Sequence, residues 1–316
     1  MEKEETDFTY RDKKIGHQRN MYDYYQFKAF IIRKMKNEHI DKVLVFSLQL
    51  GFFLQSFLLK NFKENYVLDV RDHNKIITYF HMKKLIKHSA FTVLSSPRFK
   101  DFLPNEKKYI LNHNINLDSF PSFKERKVTF KNKLRISYIG ALRDLNSSIL
   151  FIETLRDHPK YELAFHGEGA INQDLKAFFE KEQINNVLLT GRFTKNEEKS
   201  LYVNSHFINL IQTSVAINEQ LLLPNRLYLA ALYKKPVISL DGSYLSEIVQ
   251  EFHLGLVVHS LEELEEKLET YIVHFNEEEY ERGLNAFFEK VQEDNKVFMN
   301  QVLDFCKKDL RMTRFS

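Results

Sequence analysis

Three arginines stand where a diphosphate could be gripped. Arg143, Arg192 and Arg226 each lie in or beside a loop that follows a short apolar run, and these loops are rich in glycine and small polar residues. The loops read "GALRDLNSS" after 134–139, "GEGA" after 161–166, "GRF" after 187–190, "QTSVAINEQ" after 207–211 and "DGSYLSE" after 236–240. In an open parallel sheet, ligands bind outside the carboxyl ends of the strands. Backbone amides at helix starts and planar guanidinium forks are what a pyrophosphate needs. Gly140, Gly167 and Gly191 suit the tight turns, although strand-to-helix turns favour glycine for structural reasons alone. The stretch "LLLPNRLYLAALYKKPVIS" is the most pointed of the set. Pro224 fits a first helical position, where its missing N–H costs nothing. Asn225 and Arg226 then project from a helix N-terminus, whose dipole favours an anion. A solvated Arg226 behind a simple helix starter is the structural alternative.

Composition removes several other chemistries. Cys306 stands alone, so neither a disulfide framework nor a thiolate metal cage is expected, and a reducing, cytosolic setting fits. No Asp-x-Asp occurs, and no His, Asp and Glu grouping has ligand spacing, so a site without metal or other cofactor is expected. In such a site, arginines and helix dipoles must neutralise a departing diphosphate. The charge of +3, from 46 basic and 43 acidic residues, does not point to nucleic acid as a partner. The opening "MEKEETD" lacks the order of a signal peptide. Residues 43–59 carry no charge, but the polar Ser47, Gln49, Gln55 and Ser56 favour a buried strand, a turn at Gly51 and a helix over a membrane span.

These loops need a scaffold, and the sequence supplies one. Short β-branched runs alternate with amphipathic stretches along the chain, which predicts parallel sheets with right-handed crossovers. Strands are expected at 43–47, 66–70, 90–95, 108–111, 134–139, 161–166, 187–190, 207–211, 236–240 and 256–258. Helices are expected near 22–36, 52–62, 74–88, 147–157, 171–183, 195–204, 224–233 and 244–252, with a helical tail beyond 261. Thr194 with Glu197, and Ser260 with Glu263, have the spacing of capping boxes. The polar stretch 114–132, which holds Pro121, marks a domain boundary. The expected division is 1–122, 123–275 and a helical 276–316 that packs back across both.

"LLLPNRLYLAALYKKPVIS" followed by "SYLSEIV" resembles the donor-binding signature of GT-B glycosyltransferases. More narrowly, it is similar to retaining, family-four-like bacterial enzymes that build capsular and extracellular polysaccharides. Pro224, Arg226, Leu227, Pro236, Val237, Ile238, Glu247 and Ile248 carry the match, supported by "ISYIGALR", "AFHGEG", "VLLTGRF", "HLGLVV", "YVLDVRDHN" and "YILNHNIN". The resemblance implies an α/β chain with two Rossmann-like, doubly wound parallel-sheet domains facing a cleft, the first shortened. It implies a nucleotide sugar, a UDP-sugar by preference, as substrate. Arg143 and Arg226 would hold its diphosphate, with Gly140 and Gly167 in the turns beside it. Gly191, Arg192 and Phe193 would run along the base, and Pro224, Asn225, Ser243, Tyr244 and Glu247 would complete the donor site, Glu247 orienting hydroxyls. Asp72 and His73 would face the reacting carbon as catalytic groups. Asp72 also reads as a partner of Arg71 or a cap for the following helix.

The chain departs from that signature in four places. Leu229 replaces the acid that binds ribose, leaving Glu219 as the nearest upstream carboxylate. Lys234 replaces a helix-end glycine, the basic pair is thinned to Arg143, and the first clear strand begins only at 43. A second reading therefore stands beside the enzyme: a non-catalytic GT-B subunit that stabilises a partner transferase. The resemblance implies a glycan or lipid-linked glycan acceptor. Residues 11–36, basic and aromatic, suit either a peripheral contact with the inner face of the plasma membrane or a packed amphipathic helix.

Overall fold

A computed structural model of the chain describes residues 21–79, 82–106, 108–115, 128–130 and 133–307. The chain divides into two compact units, Met1–His113 with Asp294–Ser316, and Asn114–Glu293. The break expected at 122/123, the first ten residues of the basic-aromatic segment 11–36 and the last residues of the tail lie outside the described residues.

The first unit is built from α1 (Met21–Asn37), β1 (Val43–Phe46), α2 (Leu48–Asn61), β2 (Tyr66–Val70), α3 (Met82–Lys87), β3 (Phe91–Leu94) and β4 (Tyr109–Leu111). Its four strands are parallel and lie in sequence order, β1-β2-β3-β4. β2 and β3 are buried along their whole length, with Asp69 and Thr92 the polar residues among their apolar ones. The turn expected at Gly51 is absent. α2 begins directly after Ser47, whose side chain accepts from the Leu50 amide, and Gly51 lies within the helix. A Cβ at Gly51 would come within 3.0 Å of Leu68 and 3.2 Å of Leu85, so the glycine marks a close approach of helix to sheet. The helix expected over 74–88 is likewise interrupted. Asn74 instead accepts from the Ile76 amide at 3.0 Å and starts a 3-10 turn, Lys75–Tyr79, ahead of the shorter α3.

The second unit holds β5 (Leu134–Ile139), α4 (Leu145–Thr154), β6 (Tyr161–His166), α5 (Asn172–Lys181), β7 (Val187–Gly191), α6 (Lys195–Val203), β8 (Phe207–Asn209), α7 (Ile217–Leu221), α8 (Asn225–Leu232), β9 (Val237–Leu240), α9 (Tyr244–Glu251), β10 (Gly255–Val258), α10 (Leu264–Val273) and the start of α11 (Glu277–Lys307). Its six parallel strands are ordered β10-β9-β8-β5-β6-β7. The chain winds outward from β5 to β7, then returns to place β8 on the other side of β5, giving a doubly wound sheet whose switch point lies between β5 and β8. One core layer gathers Phe151, Phe165, Phe207 and Leu264, and the other gathers Tyr202, Leu227, Val249 and Phe287. The capping box expected at Ser260 does not form. α10 starts at Leu264, and Glu263 accepts from the His259 amide rather than capping from within the helix. Among the described residues, no helix is long and apolar enough to cross a membrane.

Candidate functional site

The carboxyl edge of the second sheet collects most of the expected donor-site residues. Pro224 is the N-cap of α8 rather than its first helical residue, so Arg226 is the second residue of the helix. Its guanidinium carbon lies 3.6 Å from the centroid of the Tyr138 ring, and Nη1 donates to the Asn209 carbonyl at 3.3 Å. Tyr138 belongs to β5 and Asn209 ends β8, so these contacts seat Arg226 at the switch point. Gly140 is set by its backbone at φ 143°, and a Cβ there would only reach ordinary contact with Arg226 Cδ, at 3.8 Å. A guanidinium flat on a tyrosine face keeps its outward N–H groups for a ligand.

Three of the helices that start at this edge satisfy their own amides. Asp144 accepts from the Ser147 amide at 3.0 Å and so caps α4 with its own carboxylate. Ser243 accepts from Ser246 at 3.2 Å to cap α9, and Glu197 reaches back to the Thr194 amide at 2.7 Å to close α6. α8 has no such cap, and neither do α5, α7 and α10. α5, α7 and α10 carry the acids Asp174, Glu219 and Glu265 in their first turns, so the first-turn amides of α8, with Arg226 among them, are the more favourable place for an anion. The carboxylate of Asp144 makes the start of α4, beside Arg143, less favourable.

Past the carboxyl ends of β8 and β9 lies a cavity of about 220 Å³, lined by Gln212, Thr213, Glu219, Gly242 and Ser243 but not by Arg226. One carboxylate oxygen of Glu219 is buried there without a hydrogen-bond partner. The loop that leads into α7 is held to α4, because the Ser147 hydroxyl meets Thr213 Oγ1 at 2.8 Å and accepts from the Thr213 amide at 2.9 Å. Asp241 and His259 pair at 3.1 Å on the rim.

The remaining expected residues are more scattered. Arg143 and Arg192 are exposed in the loops after β5 and β7. Gly191 ends β7 at φ 73°, and Phe193 packs partly into the core layer around Tyr202. Gly167 is required by its backbone: at φ 146° a Cβ would fall 1.8 Å from the Gly140 carbonyl oxygen. Asn225 and Glu247 are exposed in the first turns of α8 and α9, while Tyr244 leans on the core. Leu229 also packs against that core, as an apolar residue must. Tyr138 and Asn209 were not expected. Tyr138 had one signal, being an aromatic one residue before the last of a strand that leads into Gly140.

In the first unit, Asp72 and His73 follow β2. Asp72 is exposed, and His73 meets Phe102 edge-on at 5.0 Å. Neither structural alternative for Asp72 holds. Arg71 pairs instead with Asp69, at 2.6 and 2.8 Å, and with Asn112, while Asn74 starts the next turn.

No family model matches the chain, and no curated protein matches it. Solved structures do. A glycosyltransferase from Rickettsia africae superposes with a TM-score of 0.66 at 15% identity, over 95% of this chain and 85% of that one. Anabaena HepE in complex with UDP gives 0.63 at 12%, over 88% and 82%. Sucrose-phosphate synthase from Thermosynechococcus elongatus gives 0.67 at 12%, over 90% and 79%. The two parallel-sheet units are thus those of the GT-B glycosyltransferase fold.

Proposed function

We propose that the chain is a glycosyltransferase that moves a sugar from a nucleoside diphosphate sugar, a UDP-sugar by preference, to a glycan or lipid-linked acceptor of surface polysaccharide synthesis. The observation that carries this reading is Arg226, spread on Tyr138 at the switch point and beside the uncapped start of α8. In this role Arg226 and the α8 amides take the diphosphate, and the charge that develops on the leaving group is stabilised without a metal. Glu219 accepts from sugar hydroxyls in the cavity past β8 and β9, which satisfies an oxygen otherwise held from water without a donor. Asp72 and His73 serve the acceptor side of a retaining transfer at the cytoplasmic membrane face. The neighbouring HepE, solved with UDP and with UDP-glucose, supports the choice of donor.

Thermal unfolding with UDP tests the reading. A ligand at about 100 times its Kd stabilises the folded state by about 2.7 kcal/mol. UDP is expected to raise the melting temperature, and Arg226→Ala is expected to remove that rise. The second reading, a non-catalytic subunit for a partner transferase, is favoured by Leu229 and by the carboxylate of Asp144 at the start of α4. It is supported if no nucleoside diphosphate shifts the transition while a second transferase co-purifies with the chain.

A further inference from the structure

The first unit ends in an open sheet edge. β1 pairs with β2 and, among the described residues, with no other strand. In the second unit the sequential run β8-β9-β10 has β5 on the outer side of β8. β1 occupies the place of β8 in its own run, β1-β2-β3-β4, but without a strand in the place of β5. Edge strands are ordinarily protected by a charge, a proline, a bulge or a cover, because their free N–H and C=O groups template pairing. β1, "VLVF", has no charge or proline, and its register with β2 runs without a bulge. The one nearby lysine, Lys42, is turned away from the edge: its Nζ donates to the Phe305 carbonyl and lies 4.9 Å over the Phe305 ring.

The outward side chains of this edge are large and apolar. Leu44 is 43% exposed and Phe46 is 58% exposed. Their register partners on β2 are Val67 and Asp69, which puts both on the sheet face that α11 covers through Phe298, Val302 and Phe305. α11 runs antiparallel to the strands, from Asp294 beside His113 to Phe305 beside Phe91. With right-handed crossovers, the sense of an α-helix turns the residue after each buried one toward β1. Those residues are Met299 and Leu303, 46% and 48% exposed, and they continue the apolar strip.

We propose that this edge pairs with the same edge of a second copy, antiparallel about a two-fold axis through Val45, to make one continuous eight-stranded sheet. The alternation of β1 is self-complementary about that axis. Leu44 of one chain stands opposite Phe46 of the second copy on the open face, twice over, while the two Val45 side chains meet on the buried face. An isologous contact requires this kind of self-matching. Charge agrees with it. Asp41 and Lys42 precede the strand, so antiparallel pairing sends the like charges of the two copies to opposite ends of the contact.

Sedimentation velocity of the full chain tests the proposal, and a dimer is expected. Phe46→Lys is expected to weaken it at least about tenfold, since a charge replaces an apolar partner beside the axis, with unchanged circular dichroism because Phe46 is exposed and an unchanged melting temperature at concentrations dilute enough for both chains to be monomeric. Leu188→Lys, at an exposed leucine of the second unit, is expected to leave the dimer intact. The register is read by mixing Leu44→Cys and Phe46→Cys chains, each also carrying Cys306→Ser. Directly opposed residues lie within disulfide reach, so oxidation is expected to join the two kinds of chain. A wild-type monomer at all concentrations overturns the proposal and means that another segment or partner covers the edge. A dimer that survives Phe46→Lys, or mixed chains that fail to cross-link, overturns it equally.

Discussion

In the proposed donor site, Arg226 and Glu219 divide the work that the resembled signature concentrates in a single helix. Leu229 faces the core, so α8 contributes a cation and its amides but no carboxylate at that position. The nearest upstream acid in the sequence is Glu219, which lies in α7 and lines the cavity. Replacing it separates two parts of the proposed donor site. Glu219→Gln removes a charged acceptor but keeps the shape, and hydrogen bonds to charged groups contribute about 1.5–3 kcal/mol each. The rise in melting temperature caused by UDP alone is expected to persist in this variant. The additional rise caused by a UDP-sugar over UDP is expected to shrink. Equal loss of both would remove Glu219 from the sugar side of the site.

At the scale of elements, the turns at the carboxyl edge fix the geometry, and they tolerate little. Gly167→Ala puts a methyl carbon against the Gly140 carbonyl oxygen in a backbone conformation that L residues rarely adopt. Such strained and overpacked positions destabilise by about 3 kcal/mol or more. A chemical denaturation midpoint lowered to match is expected, with the loss confined to the second unit. The opposite, amino-terminal edge of that sheet carries a pH dependence. The His206 ring accepts from the Arg135 amide at 2.9 Å through Nδ1, and burial, then Lys235 and Arg135, hold its pKa below the ordinary range. His166, at the far end of β6, is held down by burial and then by Arg135. As pH falls below about 6.5, the unfolded chain therefore binds protons that the folded chain refuses, and stability falls. It levels off again once pH has passed below the folded pKa values. Melting temperatures from pH 8 to pH 5 are expected to show this decline, and His206→Gln is expected to flatten it. Much of this scaffold was legible in the sequence, because periodicity reports which face is buried. The alternation of strands and helices and the position of α8 follow from it. What it did not report were close approaches between elements. Gly51 looked like a turn, yet it is a helical residue pressed on Leu68. Ser260 had the spacing of a cap, yet α10 starts four residues later. The seat of Arg226 on Tyr138 joins residues 88 positions apart, and no local pattern encodes such a contact.

On the scale of the whole molecule, the first unit is discontinuous and depends on the end of the chain. Its sheet face carries Val67, Phe91 and Val93, and the cover for that face comes from α11 through Phe298, Val302 and Phe305. Phe305 is 5% exposed and meets Phe91 edge-on at 5.9 Å. The second unit, in contrast, contains its whole sheet and both core layers within Asn114–Glu293. A chain ended after Glu293 therefore strips the first unit of one layer and leaves the second complete. A sheet bare on one face loses the burial that holds it, and a large aromatic removed from a core costs about 3–5 kcal/mol by itself. The shortened chain is expected to lose the hydrogen-exchange protection of β2 and β3 while β5, β6 and β8 remain protected. The milder Phe305→Ala is expected to weaken the same strands without exposing them fully. If UDP binds where Arg226 sits, it still protects the second unit of the shortened chain, since none of the residues around Arg226 comes from the segment removed. Loss of protection in both units at once would show that the division is not energetic, and that the two sheets fold as one.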